Sequence, residues 1–260
     1  MENCLKTIWS CLCWAIISFV GIAHAAEPVK VVVDAYNPPN MFLRDGRAAG
    51  LYPLILEAVF KRMGQSVSID AVPWKRAVEM GALGLAGVSG FYKTPERIKI
   101  YDYSDVVYNE LLLVFVKHGR QFEFNSIEDL RHKKIGVLLG WSYGAEFDQA
   151  KAERAFTVEE VNRDYLNFRK LNEGRLDCVV ASKESGLFEI GRNNYSSIYP
   201  LKQAVLINPT YIAFAKSSNR LELLSRFNDS LRELKESGEY QKLVGDYMDQ
   251  IDAGGIVPSQ

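Results

Sequence analysis

Short β-rich runs alternate with amphipathic helical stretches along this chain, and that alternation constrains the fold most, because strand-helix-strand units pack as parallel sheets with helices on their faces. Residues 30–35 read as a strand, 51–63 as a helix stopped by Gly64, 67–72 as a strand, 74–80 as a helix and 85–89 as a short buried strand. Thr94-Pro95-Glu96-Arg97 is a turn in which Pro is preset for a helix start. The almost wholly apolar stretch 111–116 predicts a strand covered on both faces. A second cycle follows, with a helix N-cap at Ser126, strands at 134–139 and 176–181, and helices at 145–155, 165–172 and 184–192. After Pro209 come a strand at 211–215 and two helices, 221–237 and 240–251. Two cycles of about 90 residues fit two lobes better than one wide sheet, and the cleft between lobes is then the default site.

The N-terminus sets where this happens. Lys6 precedes sixteen mostly apolar residues, 8–23, and Ala23-His24-Ala25 carries the small residues that signal peptidase accepts. The expectation is export to the periplasm with cleavage after Ala25, since sixteen residues fall short of the roughly 20 that span a bilayer. No later run approaches that length, so the product has no stable membrane insertion once the signal is removed. Cleavage removes Lys6 and Glu2, leaving 30 basic and 31 acidic residues from the 31 and 32 of the whole chain. That balance offers no basic footprint for nucleic acid. It also removes Cys4, Cys11 and Cys13, leaving Cys178 alone, so the mature chain has no internal disulfide. Cys178 reads as a small buried residue in a strand.

Catalytic and metal signatures fail one after another. Gly140-Trp141-Ser142-Tyr143-Gly144 matches G-x-S-x-G between a strand and a helix, but that arrangement needs a histidine after the serine. The histidines, His24, His118 and His132, all precede it. One cysteine and two widely spaced histidines make no metal ligand set, and no phosphate-binding glycine-lysine loop occurs, so neither metal nor cofactor is implied. What remains suits noncovalent recognition. Tyr36, Trp74, Tyr92, Trp141 and Tyr143 fall where strands end, the edge at which open α/β sheets present their crevice, and Trp74 and Tyr36 could equally fill core volume. Arg97 offers a planar fork for a carboxylate or phosphate.

The order of these pieces resembles the bacterial extracellular solute-binding proteins of family 3, the polar amino-acid type. The pieces are Asp34-Ala35-Tyr36-Asn37-Pro38-Pro39, Gly50-Leu51-Tyr52, Val72-Pro73-Trp74, Thr94-Pro95-Glu96-Arg97 with Tyr101-Asp102-Tyr103-Ser104, Lys134-Ile135-Gly136-Val137 with Gly140, and Gly174-Arg175-Leu176-Asp177. The resemblance implies a type II periplasmic-binding-protein-like α/β fold, two lobes joined by two hinge strands and closing as a clamp. It implies a signal peptide at 1–25, a first lobe at 26–116, a second at 117–205, and a return with C-terminal helices at 206–260. It further implies that Arg97 grips a ligand carboxylate, Trp74 and Tyr36 wall a side-chain pocket, Ser89, Gly90 and Tyr92 supply first-lobe hydrogen bonds, and Ser142 beside Trp141 meets the carboxylate from the second lobe.

One departure shapes the expected ligand. Where the resemblance places an acid for an α-ammonium group, this chain has Ser182, followed by Lys183, with Glu184 nearby. A desolvated ammonium without a counter-charge is costly, so the position points to a carboxylate lacking the amine, or to a peptide-like or modified ligand. Gly84 likewise replaces an acid common in the family. The resulting expectation is a monomeric, non-enzymatic receptor for a small carboxylate-bearing solute, serving an ABC-type membrane permease. The alternatives are a sensor partnered by a kinase and a dehydratase acting on a prephenate-like substrate.

Overall fold

The computed structural model describes residues 27–252, and the segment expected to be an export signal lies outside the described residues. Chain order is β1 Val29–Asp34, β2 Tyr36–Asn37, β3 Met41–Arg44, β4 Arg47–Ala49, α1 Leu51–Arg62, β5 Val67–Val72, α2 Trp74–Ala82, β6 Gly87–Phe91, α3 Pro95–Ile100, β7 Tyr101–Tyr103 and β8 Tyr108–Lys117. There follow β9 Lys134–Leu138, α4 Ala145–Ala152, β10 Thr157–Val161, α5 Asp164–Asn172, β11 Cys178–Ser182, α6 Lys183–Asn193, β12 Ile198–Ala215, α7 Leu221–Glu236 and α8 Glu239–Asp252.

Two half-sheets make two lobes. In the first, β1 pairs in parallel with β5 and β6, and the end of β12 closes the far side antiparallel to β6 and β7. In the second, β9 lies parallel to β10 and β11, and β11 runs antiparallel to β8. β8 and β12 pair with each other over Tyr108 to Lys117, and β12 alone continues from one half-sheet into the other. The strand order β10-β9-β11-β8-β12-β6-β1-β5 therefore runs through both lobes. These two strands are the hinge that an α/β two-lobe architecture requires.

Helix packing follows the apolar spacing. α1 buries Leu51, Tyr52, Ile55, Leu56, Val59 and Phe60, one face of a 3.6-residue repeat. α7 buries Leu224, Phe227, Leu231 and Leu234, and the Phe60 and Phe227 rings meet at 5.6 Å. Thr94 caps α3 by accepting the Arg97 amide, with Pro95 at the first helical position.

Several elements differ from the sequence reading, the unexpected strands β2, β3, β4 and β7 among them, and three have a clear physical reason. The strand expected at 85–89 sits at Gly87–Phe91, because Leu83 to Leu85 leave α2 in a turn, with Leu85 exposed. Gly87 belongs in the strand because a Cβ there would lie 2.5 Å from the Phe214 ring. The strand expected to begin after Pro209 is the last part of the eighteen-residue β12, whose register shifts between Pro200 and Ala204 absorb an irregularity that a proline alone suggests is a break. β10 escaped pattern reading since Thr157-Val158-Glu159-Glu160-Val161 is an edge strand with acidic residues. Glu159 pairs with Lys134 and Lys170 and Glu160 with Lys151, charges that also blunt the edge.

Candidate functional site

Parallel strands of both lobes end at one interlobe junction. Asp34 ends β1, Trp74 opens α2 after β5, and Ser89 to Tyr92 end β6. From the second lobe, Gly140 to Tyr143 follow β9, Asn162 and Arg163 follow β10, and Ser182 ends β11. This is the edge where open α/β sheets present crevices.

Aromatic side chains bridge the lobes. Trp74 donates from Nε1 to the Gly140 carbonyl at 3.2 Å, and its ring lies 5.1 Å from Trp141 and 5.9 Å from Phe91. Tyr92 meets Trp141 edge-on at 5.8 Å. Trp74 thus belongs both to the core and to the junction, which merges the two sequence readings of it. Tyr143 does not join them. Its hydroxyl accepts the Leu138 amide at 2.7 Å and its ring packs on Phe147, inside the second lobe.

Arg97 is half-buried beside this aromatic group. Its guanidinium lies 4.2 Å over the Phe91 ring and donates to the Tyr92 carbonyl at 3.2 Å. Burial lowers its pKa, opposed by Tyr103, Tyr101 and, from the second lobe, Asp148. No ion pair holds it among the described residues. Ser142 donates to Asp148 Oδ2 at 2.5 Å, and Asp148 also accepts the Tyr143 amide at 3.0 Å. The hydroxyl inside the G-x-S-x-G segment therefore donates to a carboxylate in the first turn of α4.

Two cavities open along the junction, both walled by Tyr36. One, of ≈ 230 Å³, is lined by Trp74 and Trp141 together with Asp34, Lys75 and Asn162. The other, of ≈ 530 Å³, is bounded by Phe42, Arg163, Tyr165, Glu189 and Arg192. Arg163 stacks 4.3 Å over the Tyr36 ring between them. Neither cavity is lined by Arg97.

Buried polar residues complete the junction, among them Glu110, Asn40, Asn37 and Ser185, which pattern reading did not single out. Glu110, on hinge strand β8 and 1% exposed, accepts from Tyr52 Oη at 2.7 Å, from Asn40 Nδ2 at 3.1 Å and from Tyr92 Oη. Asn40 also donates to Ser182 Oγ in the second lobe at 3.1 Å, and Ser185 donates to Asn37 Oδ1 at 2.5 Å. Asn40 is fixed because Tyr247 donates to the Pro39 carbonyl at 2.7 Å and the Tyr52 amide donates to its own carbonyl at 2.9 Å. Ser182 caps α6 by accepting the Ser185 amide. Ser89 Oγ is buried without a partner, and Gly90 takes φ +69° with its backbone against Met41 and Tyr52. A one-sequence reading has no signal for Glu110, Asn40, Asn37 and Ser185, whose side chains find partners 18 to 148 residues away.

The junction is acidic. Burial raises Asp34, Glu110 and Glu189 to about 7 and Asp164 to about 8, and also raises Glu184. Hydrogen bonds from the Tyr36 amide and the Trp141 side chain pull Asp34 back, and those from Tyr92, Tyr52 and Asn40 pull Glu110 back. Glu189, Asp34 and Glu110 all push Asp164 upward. Among the described residues one ion pair touches this group, Arg192 to Glu189 at 4.0 Å. No cluster there could hold a metal ion.

A family model described as bacterial extracellular solute-binding proteins, family 3, matches residues 29–250. The chain is 30% identical over 194 residues to an arginine-binding extracellular protein of Bacillus subtilis (strain 168), covering 73% of each. An ancestral arginine-binding protein bound to arginine superposes with TM-score 0.74 at 26% identity, covering 86% of this chain and 99% of that one. A histidine kinase sensor domain superposes with TM-score 0.76 at 20% identity, over 86% and 96%, which is a likeness of fold.

Proposed function

The chain belongs to the bacterial extracellular solute-binding proteins of family 3, and on that premise we propose that it captures a small, carboxylate-bearing, amino-acid-like solute in the interlobe junction for an ABC-type importer. The supporting observation is that Trp74 and Trp141, from opposite lobes, both line a ≈ 230 Å³ cavity, while the half-buried Arg97, outside that lining, stacks on the Phe91 ring next to Trp74 and has no ion pair among the described residues. Rings contributed by both lobes give a solute apolar contact when the lobes close, and Arg97 offers its remaining guanidinium donors to a carboxylate. Ser142, held by Asp148, approaches from the second lobe. Tyr36 lines that cavity as well, and Ser89, Gly90, Tyr92 and Ser182 lie at the junction outside its lining and enter the reading through the family resemblance.

Capture works through closure. A solute that touches one lobe first gains further contacts only when the second lobe arrives, so it shifts the open-closed population toward the closed form. Cleavage after Ala25 would release the receptor to the periplasm, where the closed form is the one a permease recognises. The relatives bear the names of binding proteins, which supports capture over turnover.

Calorimetry with the twenty common L-amino acids and their desamino acids tests this reading. At least one should bind in the micromolar range, about −8 kcal/mol, and Arg97→Ala should cost roughly 2–5 kcal/mol of it by leaving the ligand anion unpaired. No binding by either series, or unchanged affinity in Arg97→Ala, refutes the assignment.

A further inference from the structure

We propose that the larger of the two junction cavities is a second binding site, taking an organic monoanion with an apolar body through Arg163 and Arg192. The inference goes beyond the solute reading above, in which neither arginine and nothing else of that cavity but Tyr36 takes part.

The cavity has the size and construction of a ligand site. Its volume is ≈ 530 Å³, within the roughly 300–1,000 Å³ of small-molecule pockets. One wall is apolar and comes from the first lobe, with Tyr36, Pro38 and Leu43. The opposite wall is charged and comes from the second lobe, with Arg163, Glu189 and Arg192. β3 sets the apolar wall: Met41 and Phe42 are buried in the core, whereas Leu43 keeps 41% of its surface exposed. Tyr36 lines both cavities, so the two are neighbours that share a residue.

The two guanidiniums lack partners for their donors. Arg163 lies 4.3 Å over the Tyr36 ring, and its side chain makes no hydrogen bond or ion pair among the described residues. Arg192 comes no nearer to a carboxylate than 4.0 Å, from Glu189, which is beyond hydrogen-bond distance. Glu189 is held instead by Asn193, whose Nδ2 donates to its Oε2 at 2.9 Å. Burial raises Glu189 to about 7 and Asp164, next to Arg163 in sequence, to about 8. At about pH 6 both acids are therefore mainly protonated, and the cavity presents two cations without an internal anion to match them. Planar guanidinium forks suit a carboxylate, and the apolar wall favours a body that sheds water on binding. An inorganic anion would leave Tyr36, Pro38 and Leu43 wet, and an ammonium ligand would meet two like charges.

The probe is 2-naphthylacetate, a fused-ring monoanion outside both solute series above. Calorimetry at about pH 6 should show it binding at a single site. The uncharged 2-naphthylacetamide should bind at least about ten-fold more weakly, and Arg163→Gln and Arg192→Gln should each lose at least about ten-fold. Neither arginine donates a side-chain hydrogen bond within the described protein, so both variants should melt with the wild type. In protein with methyl-labelled leucine, nuclear Overhauser contacts from the naphthyl protons should reach Leu43 and not Leu139, which lines the smaller cavity. No binding, equal binding of the amide, unchanged affinity in either arginine variant, or contacts to Leu139 overturns the second site. None of these results touches the solute reading, which stands or falls on the amino acids, their desamino acids and Arg97→Ala. Should an arginine variant fail to fold, the comparison of acid with amide and the Overhauser contacts in the wild-type protein decide the matter.

Discussion

Lowering the pH from 8 to 5.5 should stabilise this protein. Asp34, Glu110 and Glu189 are pushed to about 7 and Asp164 to about 8 because burial strips water from their charged forms. The unfolded chain returns them to about 4. Between those values the native state keeps a proton that the unfolded state has lost. Stability therefore falls as pH climbs from about 4 to about 8, by up to about 1.4 kcal/mol per pH unit for each group. The four do not titrate independently, since Asp164 is raised by Glu189, Asp34 and Glu110, so the combined slope is less than four such increments. Urea unfolding followed by circular dichroism at several pH values measures the slope directly. Trp74 and Trp141 are the only tryptophans after residue 25, so their fluorescence follows the junction separately. The urea midpoint should rise as the solution is acidified, and Asp164→Asn should flatten the trend. A midpoint that is level or falls between pH 7.5 and 5.5 refutes the burial argument.

Two further outcomes test the packing. Trp74→Ala removes the indole that touches Trp141 and the Gly140 carbonyl, so small-angle scattering should show a larger radius of gyration as the lobes part, with stability lower by about 3–5 kcal/mol; unchanged scattering would assign Trp74 to the core alone. Cys178 is fully buried and its thiol is pushed far above the ordinary range by burial, so native protein should resist thiol reagents until denaturant opens it, and rapid labelling of the native form would contradict the strand placement.

The hinge geometry explains which features were legible in the sequence. Periodicity located α1 and α7 within a residue or two because each buries one continuous face, β-rich composition marked the partly buried β5, and local chemistry marked Thr94-Pro95 as a helix start. The same logic failed for β12, where Pro200 and Pro209 look like breaks but the second hinge strand tolerates them through shifted register. It failed again for β10, an edge strand whose carboxylates answer lysines on neighbouring elements. At the junction, aromatic residues at strand ends drew notice through their size and position. Glu110 did not, since in Tyr108-Asn109-Glu110-Leu111 it reads as an ordinary polar residue leading into an apolar strand. Only the fold brings it against Asn40, Tyr52 and Tyr92. That distinction has a physical root. A face pattern is a property of one element, whereas compensation of a buried charge depends on groups contributed by several. In a clamp whose two halves meet at the ends of parallel strands, the charges facing the solute are therefore the last features a linear pattern can reveal. Ser182 makes the case: in the sequence it is one hydroxyl ahead of a helix, and in the fold it accepts from the Asn40 carboxamide that also donates to the hinge carboxylate Glu110.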